Sequence, residues 1–492
     1  MNLPVRIDRQ RIQREMDYWR IPGMAVVLIK EGQPDQIECF GYRDVDKQLP
    51  ITPDTLFCIA SCSKSMTVAL IARLVDEGKL DWDVPVTQYV PYFRMWDEEA
   101  DRNMTLRDLL CHRTGLAPHD ALWPGTATRE ELMKRIRYLK PIHKFREVSE
   151  YNNLLYAMVG HVAEYVTGER WPQLMAKYIF EPLSMNRTGC LAKEITLDSD
   201  HAEPYRIDQG MQKQIPFWNV DLAGPAASIN STAADMAKWI HFQMERGRTA
   251  DGKQLISSET FAEMHKPHMK IKDGAGAAGG GFPAHSYCLG WRAGDFRGHP
   301  MEKHSGKIEG YSTFQAFLPE EKIAVIILTN FHEPSTPIFY STLYTLLDQA
   351  LGYEDVHWEK NFRDENAHPV ESVYHDCEED LTAGRLDEDI KGEEATVCWS
   401  KLIGVYQNPG YGRVTVNLTT EEEETKLMLH YRDQNLPLHH WGKNQYWMDG
   451  VREDINLFKM PVTFIIEDDN VVAGVNISYE PMVEDICFKK EH

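Results

Sequence analysis

The sequence predicts an α/β domain, in which a mixed sheet is flanked by helices, followed by a small all-β domain. Three observations favour this fold class. The 492 residues exceed the length of one ordinary domain. Strand-like and helical segments alternate through the first two thirds of the chain, whereas only short strand-like runs follow residue 400. A composition with 42% hydrophobic and 26% charged residues excludes a largely disordered chain.

The elements of the first domain can be justified in chain order. Ala25–Lys30 and Gln36–Arg43 are strand-like runs separated by a turn. After Ser61, apolar residues recur at helical spacing until Gly78, which has the position of a helix C-cap. Residues 105–245 are mostly helical by pattern and predict a helical insert. A hairpin and a final amphipathic helix close the domain, over Tyr311–Leu318, Ile323–Asn330 and Ser341–Leu351.

The last 90 or so residues predict a small all-β barrel or sandwich, because short strand-like runs follow one another at close spacing. The stretch before them has little periodicity and is predicted to be an exposed linker. We therefore predict a first domain at 1–352, an acidic linker at 353–400 and a β domain at 401–492. The strand-like runs are Leu402–Tyr406, Arg413–Leu418, Lys426–Tyr431, Phe464–Glu467 and Val471–Tyr479.

The negative charge of the chain is concentrated in the predicted linker. The whole chain has a formal net charge of −22, from 75 acidic and 53 basic side chains. Residues 353–400 hold 15 acidic and 4 basic side chains, whereas residues 1–352 are nearly balanced. Because nucleic acids and anionic membranes repel an acidic protein, neither is expected as a partner.

Several absences from the sequence indicate a cytoplasmic protein without a cofactor. The first 20 residues carry charges throughout and lack the apolar region of a secretory signal. The longest apolar run, Ile323–Leu328, is too short to cross a bilayer. Nine scattered cysteines form no CxxC pair, which is typical of reduced thiols. His439 and His440 have no third ligand at matching spacing, so no metal is expected, and Gly274–Gly281 is interpreted as a flexible surface loop.

Ser61 and Lys64 are the first candidates for chemistry. Ser61 is expected where a strand gives way to a helix, and Lys64 lies one turn further on the same face. This spacing can bring the amine to the serine hydroxyl, where burial and the helix N-terminus would lower the lysine pKa. The same residues are equally compatible with a serine N-cap followed by a surface lysine.

Two further patterns favour the catalytic interpretation. Tyr151-Asn152-Asn153 precedes a helical stretch, and His304-Ser305-Gly306 precedes the predicted hairpin. Each pattern alone is weak, since Tyr406-Gln407-Asn408 and His440-Trp441-Gly442 repeat them within the β domain. What distinguishes a catalytic site from chance matches is the order of the motifs, SxxK, then YxN, then HxG. A helical insert surrounds the second motif, and strands follow the third.

With these motifs the chain resembles the serine β-lactamase and penicillin-recognising superfamily. It is most similar to the branch of class C β-lactamases, D-alanyl-D-alanine carboxypeptidases, D-aminopeptidases and related esterases. The resemblance covers about residues 10–352 and implies a β-lactamase/transpeptidase-like mixed antiparallel sheet flanked by helices, with a helical insert. It also rests on four stretches outside the three motifs: Thr105–Leu116, Phe180–Met185, Asn230–Trp239 and Tyr287–Trp291.

The resemblance also implies roles for the motif residues. Ser61 would be the nucleophile that forms an acyl-enzyme, Lys64 would take its proton, and Tyr151 would pass a proton to the leaving group. Asn153 would hold the acyl amide of the substrate. The backbone N–H groups of Ser61 and Lys307, the latter just after Gly306, would form the oxyanion hole. His304 stands where true β-lactamases have the lysine of the "KTG" motif.

The histidine at position 304 determines which substrates are expected. A neutral imidazole lacks the permanent charge that faces the carboxylate of penicillins, so efficient β-lactam hydrolysis is not expected. The sequence therefore predicts a serine hydrolase acting on amide bonds of small or D-amino-acid-containing peptides. An esterase or weak β-lactamase on the same site is the alternative, and a non-catalytic scaffold is a further one. A homo-oligomer is compatible with the sequence.

The β domain resembles the lipocalin-like C-terminal barrel of some peptidases in this superfamily. It is interpreted as a domain for stability or assembly, and the alternative is that it overhangs the cleft and restricts substrate size. The cleft walls are expected near Trp123, Trp218 and Gly224-Pro225.

Overall fold

The computed structural model describes residues 5–122, 128–208, 211–271, 282, 284–332, 335–365, 385–421, 424–432, 434–452 and 455–491. Trp123 and the predicted loop Gly274–Gly281 lie outside these residues.

A nine-stranded antiparallel sheet forms the centre of the first domain. Its strand order is β3-β2-β1-β13-β12-β11-β10-β9-β8, so the first and last strands of the domain, β1 and β13, lie side by side. Two short pairs, β4 with β7 and β5 with β6, lie outside it. The strands are β1 Gly23–Lys30, β2 Gln36–Asp44, β3 Leu49–Pro50, β4 Phe57–Cys58, β5 Tyr205–Asp208, β6 Met211–Gln214, β7 Asn230–Ser231, β8 Met269–Lys270, β9 Ala284–Tyr287, β10 Arg292–Phe296, β11 His299–Ile308, β12 Tyr311–Leu318 and β13 Ile323–Thr329.

Helices cover both faces of this sheet. The helices are α1 Arg9–Tyr18, α2 Ser63–Asp76, α3 Val86–Tyr89, α4 Glu98–Asn103, α5 Leu106–Leu110, α6 Arg129–Arg135, α7 Asn153–Thr167, α8 Trp171–Met175, α9 Ala192–Leu197, α10 Gly224–Ala227, α11 Ala233–Met244, α12 Ser258–His265, α13 Ser335–Leu351 and α14 Trp358–Glu365.

Two hydrophobic cores lie on opposite faces of the sheet. Alternate residues of β1 point to the two sides, with Ala25 and Val27 in the core that contains α2 and the helical insert. Met24 and Val26 lie in the core that contains α1 and α13. Because a core covers each face of the sheet, the residues that point to either side are apolar. The sequence of such a buried strand is therefore a continuous apolar run.

The predicted fold class is confirmed, and the stretch after α13 contains more regular structure than its sequence suggests. Helix α14 lies in the region expected to be an exposed linker, and Trp358 and Phe362 are buried. Ion pairs attach α14 to α1, where Glu15 accepts from Arg363 at 2.6 Å. This helix has few apolar residues, and acidic residues surround them, so its helical pattern is difficult to recognise in the sequence.

The C-terminal strands form a nearly closed nine-stranded antiparallel sheet. Their order is β17-β16-β15-β14-β22-β21-β20-β19-β18, and the two end strands are separated in the chain by Leu438 alone. The elements are α15 Trp399–Leu402, β14 Gly404–Asn408, β15 Gly412–Glu421, β16 Glu424–Tyr431, β17 Gln434–Pro437, β18 His439–Gly442, β19 Gln445–Arg452, β20 Ile455–Glu467, β21 Val471–Ile477 and β22 Ile486–Lys490. The barrel-like architecture predicted from the sequence is confirmed.

Among the residues that the structure describes, no helix has both the length and the apolar character needed to cross a membrane.

Candidate active site

Ser61 lies in a tight turn between the short strand β4 and the helix α2. The chain turns at Ala60, whose φ is +44°, and Ser61 follows in a single 3-10 turn. A non-glycine residue in such a backbone conformation costs about 1–3 kcal/mol, so its surroundings must hold it in place. Thr313 on β12 does so, because its hydroxyl donates a hydrogen bond to the carbonyl of Ile59 at 2.9 Å.

The Lys64 side-chain nitrogen lies against the Ser61 hydroxyl at the start of α2. Lys64 is completely buried, and its Nζ lies 2.9 Å from Ser61 Oγ. Nζ also donates to Asn153 Oδ1 at 2.6 Å and to the Ala226 carbonyl at 3.1 Å. A neutral amine can donate the last two of these hydrogen bonds and accept one from the Ser61 hydroxyl. A surface lysine after a serine N-cap is excluded.

Tyr151 covers the other side of the lysine. It lies directly before α7, with Asn152 as the N-cap of that helix. The centre of its ring is 4.6 Å from Lys64 Nζ, within the range of a cation–π contact. The structure therefore brings together Ser61, Lys64, Tyr151 and Asn153, although 87 residues separate Lys64 from Tyr151 in the sequence.

His304 on β11 is buried beside Tyr151 and is held in one neutral tautomer. Its Nδ1 lies 2.7 Å from the Ser305 carbonyl, which can only accept a hydrogen bond, so Nδ1 carries the hydrogen. Its Nε2 then accepts from the Tyr287 hydroxyl at 2.9 Å. Burial, followed by the charges of Arg292 and Lys64, holds the pKa of His304 well below its ordinary value of 6.5. The imidazole is therefore uncharged at neutral pH.

Gly306 allows β11 to pass directly against the Ser61 turn. A Cβ at this position would lie 2.2 Å from the Ile59 carbonyl oxygen and 3.0 Å from the Ser61 nitrogen. Strand β10 is paired with β11 only as far as Lys303, so the edge of β11 from His304 onward has no β10 partner. Lys307, the next residue after Gly306, lies on this part of the strand.

Arg292 is a site residue that the sequence patterns did not reveal. It lies at the start of β10, and its guanidinium carbon is 5.6 Å from the centre of the Tyr151 ring. Among the described residues, no carboxylate forms an ion pair with it, and its buried Nε has no hydrogen-bond partner. In the sequence, Arg292 could have been found from its position directly after Tyr287–Trp291, one of the stretches on which the family resemblance rests. Arg292 supplies a permanent positive charge next to the neutral His304.

His112 is a second unpredicted neighbour of Tyr151. The two ring centres are 4.4 Å apart, and His112 Nδ1 accepts the backbone N–H of Asn152 at 3.1 Å. Burial and the charge of Lys64 hold its pKa well below 6.5. His112 lies within the quoted stretch Thr105–Leu116, but no periodicity distinguishes it from a core histidine.

Two of the residues expected near the cleft walls lie in a helix that contacts Lys64. Gly224 and Pro225 are buried in α10, whose Ala226 carbonyl accepts from Lys64 Nζ. There the Pro225 carbonyl accepts from Thr67 Oγ1 at 2.7 Å. Trp218 is partly buried against the larger core. Helix α10 therefore supports the lysine from behind.

No group of three or more metal-ligating side chains occurs within the described part of the chain. The chemistry that the assembled residues can perform is that of a buried serine hydroxyl, an amine in contact with it and a phenol beside both.

The comparisons with known proteins agree with this arrangement. The sequence matches the beta-lactamase family profile over residues 9–347. The chain belongs to the beta-lactamase family. Members of this family are serine hydrolases, and the chain has the fold of that family.

Individual beta-lactamase family relatives extend the similarity into the barrel. An unguisins hydrolase from Aspergillus violaceofuscus is 26% identical over 443 residues, which span 83% of this chain and 76% of the relative. A second unguisins hydrolase, from Aspergillus campestris, is 25% identical, and the match covers 98% of this chain and 91% of the relative.

Solved structures show the same fold. The octameric penicillin-binding protein homologue from Pyrococcus abyssi is 24% identical, with a TM-score of 0.62 over 98% of this chain and 100% of that chain. A class C beta lactamase from Rhodobacter sphaeroides is 21% identical, with a TM-score of 0.58 over 70% of this chain and 98% of that one.

Proposed function

We propose that this protein is a serine hydrolase that cleaves amide bonds of small or D-amino-acid-containing peptides through an acyl-enzyme at Ser61. The observation that carries the proposal is the 2.9 Å contact between Lys64 Nζ and Ser61 Oγ in a buried site. The names of the two fungal relatives, both hydrolases, support the same class of reaction.

In the proposed first step, Ser61 Oγ attacks the substrate carbonyl carbon while neutral Lys64 takes its proton. The carbonyl oxygen becomes negatively charged and accepts hydrogen bonds from the backbone N–H groups of Ser61 and Lys307. Loss of one such donor typically costs about 10²–10³-fold in rate. Tyr151 then passes a proton to the leaving amine as the C–N bond breaks, and Asn153 holds the acyl amide.

In the second step, a water molecule attacks the ester carbonyl of the acyl-enzyme. The water gives a proton to the basic group formed by Lys64 and Tyr151, and Ser61 leaves with a proton as the acid product is released. Cys62, next to the serine, is not a competing nucleophile, because burial raises the pKa of its thiol to about 12.

Arg292 supports a substrate with a negatively charged group. Since His304 is neutral, Arg292 is the group beside Tyr151 that would attract a free carboxylate. A peptide with a free C-terminus fits this charge. An esterase or a weak β-lactamase would use the same serine, lysine and tyrosine, and remains the alternative within the enzyme class.

Two further properties belong to the proposal. The eight described cysteines are all free thiols, which supports a reducing, cytoplasmic location. The octameric state of the Pyrococcus abyssi homologue, which aligns over its whole length, supports a homo-oligomer.

A fluorophosphonate probe tests the proposed function. We expect one probe molecule per chain, attached at Ser61 as mapped by mass spectrometry, and no labelling of Ser61→Ala. Ser65→Ala is the matched control, since its hydroxyl donates to the Cys62 carbonyl at 3.0 Å in the same helix, and it should label normally. Absence of labelling of the wild-type protein would identify a non-catalytic scaffold and overturn the proposal.

A further inference from the structure

A loop of the barrel reaches the first domain near the candidate site. It connects β14 to β15 and carries Pro409, Gly410 and Tyr411. Tyr411 is fully buried, and its hydroxyl lies 2.7 Å from His119 Nδ1. The loop fits closely against the first domain, since a Cβ at Gly410 would lie 3.0 Å from a methyl carbon of Leu139.

Two more barrel elements contact the same segment of the first domain. The backbone N–H of His119 donates to Glu480 Oε2 at 2.8 Å, and Glu480 is fully buried. Arg432, which follows β16, donates to the Leu122 carbonyl. Three separate parts of the barrel therefore hold residues 117–122, which we call the bridging segment.

The bridging segment is also tied to the residue between Tyr151 and Asn153. The side-chain amide of Asn152 donates to the Ala117 carbonyl at 2.6 Å. The backbone N–H of Asn152 donates to His112 Nδ1, and the His112 ring packs on Tyr151. A shift of the bridging segment would therefore move Asn152 and, with it, the tyrosine and asparagine on either side.

The contact between His119 and Tyr411 joins two side chains across the boundary between the two domains. Both side chains are buried, so loss of one partner leaves the other without its hydrogen bond in a site that water does not reach. His119 has a φ of +50°, so the backbone of the bridging segment is itself held in an uncommon conformation at this residue.

We propose that Tyr411 and His119 are positioning residues, through which the barrel holds Tyr151 and Asn153 in place for acylation of Ser61. The inference rests on the proposed function, and it assigns the barrel a role in catalysis besides stability. Neither residue contacts the reacting atoms. Their effect is transmitted by the bridging segment and Asn152.

The test compares two tyrosines of the barrel that each lose only a hydroxyl. Tyr411→Phe removes the contact with His119. Tyr406→Phe is the matched control, because Tyr406 is equally buried and its hydroxyl donates within the barrel, to the Leu402 carbonyl at 2.6 Å. The readout is the labelling of Ser61 by the fluorophosphonate probe in the full-length protein, in which Oγ bonds to phosphorus and displaces fluoride, as a measure of the attack that begins acylation. The labelling is resolved into its maximal rate and the half-saturating probe concentration.

We expect Tyr411→Phe to lower the maximal acylation rate about 3- to 30-fold, with the half-saturating concentration and the labelled fraction unchanged. Ser61 of Tyr406→Phe should react with the probe at the wild-type rate. His119→Phe should have the effect of Tyr411→Phe, and the double variant should be no slower than either single variant. If Tyr411→Phe does not fold, His119→Leu, which leaves the barrel unaltered and cannot form a hydrogen bond with Tyr411, is measured in its place with the same expectation.

Equal rates for Tyr411→Phe and Tyr406→Phe overturn the inference, and so does an additive effect in the double variant. Failure of the proposed function gives a different result, because the wild-type protein would then not be labelled at all.

Discussion

Lys64 is the residue on which the proposed chemistry depends most, because its Nζ lies 2.9 Å from Ser61 Oγ. Lys64→Met keeps the length and the burial of the side chain but cannot accept a proton. We expect acylation of Ser61 to slow by about 10²–10⁴-fold. The measurement is the rate of probe labelling at saturating concentration.

Lys303→Met is the matched control for this prediction. Lys303 is also buried, and burial followed by the charge of Arg292 lowers its pKa to about 8. However, it donates to the Phe282 carbonyl at 2.8 Å and packs over the Tyr340 ring, on the opposite face of the sheet. Its loss should change stability and leave acylation nearly unchanged. Equal slowing in both variants would contradict the role of Lys64.

Arg292 gives a second prediction at the residue scale. Arg292→Gln removes the charge beside Tyr151, so kcat/KM for peptides with a free C-terminal carboxylate should fall by about 10- to 150-fold, the usual range for a charged hydrogen bond. The same peptides with an amidated C-terminus should be cleaved equally by both proteins. If both kinds of peptide lose activity in parallel, Arg292 supports the structure of the site and does not bind the substrate charge.

The sequence predicted the residues of the site that depend on local spacing. Ser61 and Lys64 are one helical turn apart, so their contact follows from helix geometry. Arg292 and His112 reach Tyr151 only through the tertiary fold, since β10 and the segment after α5 lie far from α7 in the chain. No period or spacing encodes such a contact. The catalytic roles themselves stay predictions.

Among the helices and strands, the sequence predicted those in which apolar residues recur at one regular spacing along most of the element. Strands β1, β2, β12 and β13 and the helix α2 lie within a residue or two of their expected positions. In the barrel, β17 to β19 and β22 were not predicted. Strands β17 and β18 have four residues each and contain Asn, Pro, His and Gly, which turns and loops also use. They form because their neighbours supply the hydrogen-bond ladder.

Asn152 caps helix α7 and also links this helix to the bridging segment, and two substitutions can separate these functions. Its Oδ1 caps α7 by accepting from the Leu155 N–H at 2.8 Å, and its amide donates to Ala117. Asn152→Ser keeps a good N-cap but loses the amide, whereas Asn152→Ala loses both. We expect both variants to slow acylation, and the alanine variant to be less stable than the serine variant by about 1 kcal/mol. Urea unfolding measures the difference, and equal stabilities would refute the capping role.

For the whole molecule, the barrel and the first domain share one hydrophobic core. The larger core runs without a break from Leu139 and Leu122 in the first domain to Tyr411 and Phe488 in the barrel. Half of the acidic excess of the chain lies outside these two parts, in residues 353–400. The barrel and the first domain are therefore expected to lose stability together when a group at their interface gains a proton.

His119 is such a group, and it makes the stability of the molecule sensitive to acid. Burial lowers its pKa from 6.5 to about 4, so below pH 6.5 the unfolded chain binds a proton that the folded chain does not. Stability is therefore complete above pH 6.5 and is lost as the pH falls towards 4. Between pH 7 and pH 5 the loss from this one residue is about 2 kcal/mol.

His119→Gln removes the titration while leaving a polar side chain beside Tyr411. Urea unfolding at pH 7 and at pH 5 should therefore show a smaller loss of stability for the variant than for the wild-type protein, by about 2 kcal/mol. His112 and His304, whose pKa values are also held well below 6.5, remain in both proteins and contribute equally to the two losses. An identical loss in both proteins would mean that folding does not lower the pKa of His119, and it would contradict this prediction.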